Sequence, residues 1–391
     1  MQRDTELTFR DIHGTPDIML SSLKDTADSE AFVYTAIEQP LDLRFLEFET
    51  TNLNDENPIL KLTEKGQNTG NTNYVAVSYT WQRFDPVTNK EAISRFRISS
   101  KGLVRKARSQ DAVLFRAIQF AKSTHTARIW IDQDCIDQAN SADLDQHLHV
   151  VHKIFYQSQY AIALLSFHVC YEHQLESIRY VNEGTLLDEL QTLAGKATED
   201  LPELCRRISR SYRLFAAIAA DKWFSRTWTF MERLAAPHTY LLVPFENSSA
   251  RDSMTPDGVS DVRLDPNQIL QLQKKLEAIS RQSRQTASSQ ESEPFLESLY
   301  QIVEQFGNLL TSKFLTDYQT PPWTQAISLQ QVTNIFQHID RRENTIQSDR
   351  LLILGYLLQL QYLLACTSFC QWILQRLKGK TECFIALEYD D

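Results

Sequence analysis

Three short apolar segments separated by helical patterns constrain the fold of this chain more than any other feature. The segments at 74–78, 127–131 and 160–165 have the length and apolar character of buried strands. An amphipathic helical pattern follows each of the first two. Strands joined by helices form right-handed crossovers in a parallel sheet. The sequence therefore predicts an α/β fold, a parallel sheet flanked by helices.

Polar and aromatic residues stand at the end of the first two predicted strands. Ser78, Tyr79 and Trp81 end or follow the first strand, and Asp132 and Cys135 follow the second. Ligands of open α/β sheets bind beyond the carboxyl ends of the strands, so spacing alone groups these side chains at a candidate site. For the two aromatics a core position, and for the aspartate a turn or capping role, remain open alternatives.

A glutamate on a later predicted helix is the strongest candidate for chemistry. Ser225 is a candidate N-cap of this helix, on which Trp228 and Glu232 are four residues apart and share a face. Packing beside the indole would desolvate the carboxyl and raise its pKa. The alternative is a surface glutamate paired with Arg226 or Arg233.

Composition excludes several classes of function. The net charge of −10 argues against a broad nucleic-acid surface and against an anionic membrane as the main partner. The 391-residue chain has only 10 glycines, and no glycine-rich phosphate loop is found. Its six cysteines are dispersed, and its first residues lack the apolar core of a signal peptide. These features favour the cytoplasm.

Two further clusters are weaker candidates. His147, His149 and His152 lie on one predicted helix, where a solvated helix face is a better interpretation than a metal site. Cys135 has no Cys/His arrangement around it and fits a small buried hydrophobe better than a catalytic thiol. We therefore expect no metal.

The rest of the chain divides by composition. The predicted domains are an N-terminal extension (1–40), the α/β domain (41–245), a linker-rich segment (246–294) and a helical accessory region (295–391). The α/β domain carries a helical insertion between Ser166 and Lys222. Polar stretches at 246–265 and 281–294 predict mobile linkers around a short helix at 267–280. Residues 351–374 have no charged residue, but their polar interruptions favour a buried helix or helix pair over a membrane span.

Three motifs occur in an order that resembles the HET (heterokaryon incompatibility) domain of filamentous fungi. They lie at Tyr74–Trp81, Trp130–Gln138 and Trp228–Glu232. The resemblance covers roughly residues 41–245. At three positions this chain differs, because Gln82, Asp137 and Met231 stand where the family usually has Gly, Asn and Gln.

The resemblance implies a fold and an activity. HET domains look like distant relatives of TIR domains, which have a flavodoxin-like parallel sheet, and some of these hydrolyse NAD with a glutamate four residues after a tryptophan. The implied catalytic residue is Glu232. NAD would be the substrate, cleaved to nicotinamide and ADP-ribose without a further cofactor. The implied substrate-binding residues are Ser78, Tyr79, Trp81, Asp132, Cys135 and Trp228.

The resemblance also implies a biological role. It points to a cytoplasmic protein of fungal cell death and self/non-self recognition. Such a protein would form a homo-oligomer or act with an HET- or NLR-type signalling partner. The alternative to an NAD-hydrolysing enzyme is a non-catalytic signalling or oligomerisation module that uses the same fold.

Overall fold

A computed structural model describes most of the chain up to Phe314. The described residues are 39–49, 51–81, 94–192, 201–246, 259–286 and 294–314, together with the single residues 335, 338, 339 and 353. The predicted N-terminal extension before residue 39 lies outside them. So does the apolar segment at 351–374 apart from Ile353, which is buried.

The described strands form one nine-stranded sheet. They are β1 (Leu46–Glu47), β2 (Ile59–Leu62), β3 (Val75–Tyr79), β4 (Arg97–Ser100), β5 (Leu103–Lys106), β6 (Arg128–Trp130), β7 (Tyr160–Leu164), β8 (Tyr240–Glu246) and β9 (Val259–Leu264). Their order across the sheet is β5-β4-β2-β1-β6-β3-β7-β8-β9.

Nine α-helices are described, and most of them pack around this sheet. They are α1 (Asp111–Ser123), α2 (Asp132–Cys135), α3 (Ser141–Gln157), α4 (Glu172–Asn182), α5 (Thr185–Thr192), α6 (Leu201–Ala219), α7 (Thr227–Ala235), α8 (Pro266–Thr286) and α9 (Pro294–Phe314). A 3-10 helix, Lys222–Ser225, connects α6 to α7. The helices α4, α5 and α6 confirm the predicted helical insertion.

The centre of the sheet is parallel, as predicted, but the whole sheet is mixed. Strands β6, β3, β7 and β8 are neighbours and run parallel. The strands β1, β5 and β9 pair antiparallel with their neighbours. The prediction of a purely parallel sheet was therefore wrong. The missed strands β2, β4 and β5 have four residues each, too few to show a clear period.

Strand β9 also corrects the predicted linker-rich segment. Its six residues pair antiparallel with β8 at the edge of the sheet. Its polar Asp261 is not a solvated linker residue, because Arg116 of α1 donates to both carboxylate oxygens at 2.9 and 3.0 Å. Helix α8 is also longer than predicted and ends at Thr286. The residues at 247–258 and 287–293 lie outside the described chain.

The order of the parallel strands indicates where a ligand can bind at the edge of the sheet. From β3 the chain passes to β6 on one side, and it then crosses to β7 on the other side of β3. The direction of winding therefore changes between β3 and β7. In open α/β sheets this switch point leaves a crevice at the carboxyl ends of the two strands.

Two hydrophobic cores meet at the strands β7 and β8. The first core surrounds β3 and β6 and includes buried residues of α1, α3 and α7. The second core lies beneath α4, α5, α6, α8 and α9. Because side chains alternate across a strand, Ile162 and Leu164 face the first core, while Ala163 and Leu165 face the second.

Candidate active site

Ser78 and Glu232 meet at the switch point, although 154 residues separate them in the chain. Ser78 is the fourth residue of β3 and is buried. Its hydroxyl donates a hydrogen bond to Oε2 of Glu232 on α7. Glu232 is partly exposed, and within the described chain its second carboxylate oxygen accepts no hydrogen bond. The site therefore presents one held and one available carboxylate oxygen.

The environment of Glu232 raises the pKa of its carboxyl from the acidic range towards neutral pH. Burial raises the pKa of the Glu232 carboxyl to about 8, and the negative charge of Asp132 acts in the same direction. The hydrogen bond from Ser78 and the positive charge of Arg226 oppose this rise in pKa. A carboxyl with this pKa can exchange a proton near pH 7.

Asp132 forms the second acidic group of the site. It lies two residues after β6, and its carboxylate accepts from the Tyr79 hydroxyl at 3.1 Å and from the Trp81 indole N–H at 2.9 Å. The backbone N–H of Gln133 also donates to it at 2.7 Å. Burial raises the pKa of Asp132 to about 6 despite these donors. The aspartate therefore joins the ends of β3 and β6.

The aromatic residues take different positions around these carboxyls. Trp81 is 45% exposed, so its ring is an open face beside Asp132. Tyr79 is largely buried, and its hydroxyl lies 2.7 Å from the side-chain amide of Gln133. Trp228 is partly buried and packs against the first core. Trp81 is the most exposed of these three rings.

Cys135 lies in the core, apart from the other predicted site residues. Its side chain is fully buried, and its sulfur lies 3.4 Å from the Ile131 backbone nitrogen. Burial raises the pKa of its thiol to about 12. This supports the interpretation of Cys135 as a small buried hydrophobe, and it leaves the residue without a position from which to contact a ligand.

The predicted solvated face for the histidine cluster was wrong at His147. This residue is 2% exposed, and its Nδ1 lies 2.7 Å from the backbone oxygen of Asp143. Asp143 in turn pairs with Arg44 and Lys65. Burial lowers the pKa of His147. Within the described ranges, no three His, Cys, Asp or Glu side chains are grouped so that they could hold a metal.

Several residues that shape the site were not identified from the sequence. Trp223 donates its indole N–H to Ser78 Oγ at 2.7 Å, and Asp221 holds the backbone of Trp223. Asp134 accepts from the segment before α1 and so fixes α2. The predicted N-cap Ser225 instead ends the 3-10 helix, and α7 begins after Arg226. No local period marks such side-chain pairs.

Glu232 and Asp132 form the acidic centre of the site. Of the three positions that differ from the usual HET pattern, the two that the structure describes lie outside this centre. Met231 is adjacent to Glu232 in sequence but is fully buried in the first core. Asp137 is exposed, and its side chain accepts from the backbone of Ala139 in its own loop at 3.2 Å. Gln82 lies outside the described residues. The methionine therefore faces away from the chemistry.

A cleft of about 500 Å³ opens elsewhere on the sheet, beside β2 and the turn between β4 and β5. Its lining includes three lysines, each of which pairs with a carboxylate. These pairs leave little uncompensated charge for an anion. We assign the candidate active site to the acidic centre instead, because perturbed carboxyls there converge at the switch point.

The fold and the site together define an α/β protein with an acidic centre at the carboxyl edge of its parallel strands. Residues 74–232 match the family model described as heterokaryon incompatibility protein (HET). This part of the chain is therefore a HET domain, and it includes both Ser78 and Glu232. Searches of curated proteins and of solved structures found no match. None of the described helices is long and apolar enough to cross a membrane.

Proposed function

We propose that this HET domain hydrolyses NAD to nicotinamide and ADP-ribose, with Glu232 as the catalytic residue. The observation that carries the proposal is the partly exposed Glu232 carboxyl, held by Ser78 beside Asp132 at the switch point. The ligand class follows from the charges. Two carboxyls at one edge favour a cationic group, and the nicotinamide ring of NAD is cationic.

The exposed ring of Trp81 supports the same ligand. An indole face attracts a cationic aromatic ring, and stacking adds contact area. The Trp81 N–H is already used by Asp132, so the ring is oriented before a ligand arrives. The proposed binding residues are Trp81, Tyr79, Asp132, Ser78 and Trp228.

The chemistry places the charge of Glu232 near the ribose. When the bond between ribose C1′ and the nicotinamide nitrogen breaks, its electron pair leaves with nicotinamide, and positive charge develops on the ribose. A carboxylate beside this carbon stabilises the oxocarbenium-like state, as in glycoside hydrolysis. Water then adds to C1′ and gives up a proton. The Glu232 carboxylate can accept this proton, because its pKa is about 8.

The likeness to TIR domains remains part of the proposal. The first supporting feature is the spacing of Trp228 and Glu232. The second is the order of the parallel strands, β6-β3-β7-β8, in which the second and third strands along the chain flank the first. The order is that of the first four strands of a flavodoxin-like sheet. By the same likeness we propose a cytoplasmic protein of fungal self/non-self recognition that acts as a homo-oligomer or with an HET- or NLR-type partner.

The test is NAD turnover by the purified chain and its Glu232→Gln variant. We expect the wild type to release nicotinamide and the variant to lose activity by about 10²–10⁴-fold, because one positioned charge or proton acceptor is removed. Glu176→Gln, on the exposed surface of α4, makes the same atomic change away from the site and should keep activity.

Two outcomes would contradict the proposal. Unchanged nicotinamide release by a folded Glu232→Gln protein would remove the catalytic assignment. If the folded wild type releases no nicotinamide at any pH between 5 and 9, as monomer or oligomer, the non-catalytic signalling module is the better assignment.

A further inference from the structure

A buried tryptophan outside the recognised motifs contacts the same serine that holds Glu232. Trp223 lies on the 3-10 helix before α7 and is 2% exposed. Its indole N–H donates to Ser78 Oγ at 2.7 Å. The Ser78 hydroxyl donates onward to Glu232 Oε2. Three side chains from three elements thus form one directed chain of hydrogen bonds.

The direction of this chain follows from the chemistry of its members. An indole N–H can only donate, so the Ser78 oxygen must act as the acceptor from Trp223. A hydroxyl has a single proton, and within the described chain the acceptor for it is Glu232. Because the Ser78 proton points to Glu232, this arrangement favours the ionised carboxylate, which accepts, over a protonated carboxyl, which would have to donate.

The structure around Trp223 holds its indole in place. One oxygen of the buried Asp221 accepts from the backbone N–H of Trp223 at 2.8 Å. The other oxygen accepts from the backbone N–H groups of Ser166 and Phe167, directly after β7, at 2.6 and 2.7 Å. The Thr229 hydroxyl of α7 donates to the carbonyl of Trp223. The backbone that carries the indole is therefore tied both to the segment after the switch-point strand β7 and to the helix of Glu232.

We propose that Trp223 is a positioning residue, which acts through Ser78 to hold one oxygen of the Glu232 carboxylate and leave the other for the ligand. This inference rests on the proposed function for its catalytic meaning, but the hydrogen-bond chain itself is independent of the substrate. A packing role alone would need the indole volume, whereas positioning needs the indole N–H. The two roles are therefore separable by experiment.

The proposal predicts a change in the titration of Glu232. The charged groups that act on Glu232 are Asp132 on α2 and Arg226 at the start of α7, and neither is altered by a change at Trp223. In Trp223→Phe the Ser78 hydroxyl loses the N–H donor that polarises it towards Glu232, so its hydrogen bond to the carboxylate weakens, which favours the neutral form. We expect the pKa of Glu232, and the rising limb of NAD cleavage against pH, to move up by about one pH unit.

A double-mutant cycle tests whether Trp223 acts through Ser78. Ser78→Ala should shift the limb in the same direction, and Trp223→Phe should add no further shift in that background. Trp130→Phe is the matched control, because Trp130 is equally buried and its indole N–H has no hydrogen-bond partner among the described residues. It should lower stability without moving the limb.

A second readout separates this inference from the proposed function. The carbon-13 NMR signal of the Glu232 carboxyl, assigned by its loss in Glu232→Gln, reports the titration without any turnover. If the wild type does not cleave NAD but Trp223→Phe still raises the pKa of Glu232, the positioning role stands and the proposed function fails. The positioning role is overturned if NAD is cleaved but Trp223→Phe shifts neither the rising limb of the pH profile nor the pKa of Glu232. It is also overturned if the shifts caused by Trp223→Phe and Ser78→Ala add.

Discussion

At the residue scale, Glu232 combines two requirements that oppose each other. Its partial burial beside the first core places a carboxyl where little water can solvate its charge, which raises its pKa to about 8. The same burial means that ionisation weakens the native state. A residue that costs stability in its charged form is typical of functional sites, because packing alone would favour an apolar side chain there.

Replacing Glu232 by Gln should therefore stabilise the protein in a pH-dependent way. The unfolded carboxyl titrates near its ordinary value of 4.5, and the folded one near 8, so native stability falls as pH rises between these values. Glutamine cannot ionise. The melting temperature of Glu232→Gln should exceed that of wild type by an amount that grows from pH 4.5 to pH 8.

Thermal unfolding of both proteins across this range measures the effect. A difference in melting temperature that is the same at pH 5 and at pH 8 would show that the Glu232 carboxyl titrates alike in the folded and unfolded chains. That result would also remove the physical basis for its proposed role near neutral pH.

At the element scale, the short helix α2 is held by a residue that is not among the proposed binding residues. Asp134 is buried and accepts from Arg105 Nη1 at 2.8 Å and from the backbone N–H groups of Arg108 and Ser109 at 2.9 and 3.0 Å. These donors lie in the segment that leads from β5 into α1. The carboxylate therefore fixes the helix on which Asp132 stands.

Asp134→Asn should destabilise the protein, because an amide cannot replace a carboxylate that accepts three hydrogen bonds. We expect a loss of about 2–4 kcal/mol in the free energy of unfolding, the range for a broken buried charge network. Urea denaturation measures it. Asp188→Asn on the exposed surface of α5 is the control and should change stability by less than about 0.5 kcal/mol. Equal stability of both variants would contradict the structural role of Asp134.

At the scale of the whole molecule, the second core extends beyond the residues that match the HET family model. The second core is closed by segments beyond residue 246, namely β9, α8 and α9. Fully or almost fully buried side chains from these segments complete it: Leu264, Leu272, Leu276, Val303, Phe306, Leu310 and Phe314. They belong to the same core as Ala163, Leu165, Leu241 and Val243 of the sheet.

A fragment that ends at residue 246 should fail to fold. Each of these seven buried apolar side chains contributes about 1.5–3 kcal/mol, so together they are comparable to or larger than the about 5–15 kcal/mol by which a domain is usually stable. We expect the fragment to be insoluble, or to lack a cooperative unfolding transition, while the full chain has one. A soluble fragment with a sharp transition in circular dichroism would show that the first core suffices.

Local composition was enough to predict the central strands and the edge of the sheet at which the site lies. Strands β3, β6 and β7 are short apolar runs. Because a strand that is buried on both faces is apolar along its whole length, local composition predicts it. The carboxyl-end rule then grouped Ser78, Tyr79, Trp81 and Asp132 at one edge. The ordered motifs predicted the HET domain, which the family model confirms over residues 74–232.

Which polar side chains meet could not be predicted from local patterns. The contacts of Ser78 with Glu232 and with Trp223 span 154 and 145 residues, and no local period encodes a hydrogen bond over such a separation. The pairing of β9 with β8 was decided in the same way, because it depends on packing against distant elements. Local patterns set where the chain turns and buries its apolar groups, whereas long-range packing selects the partner of each polar side chain.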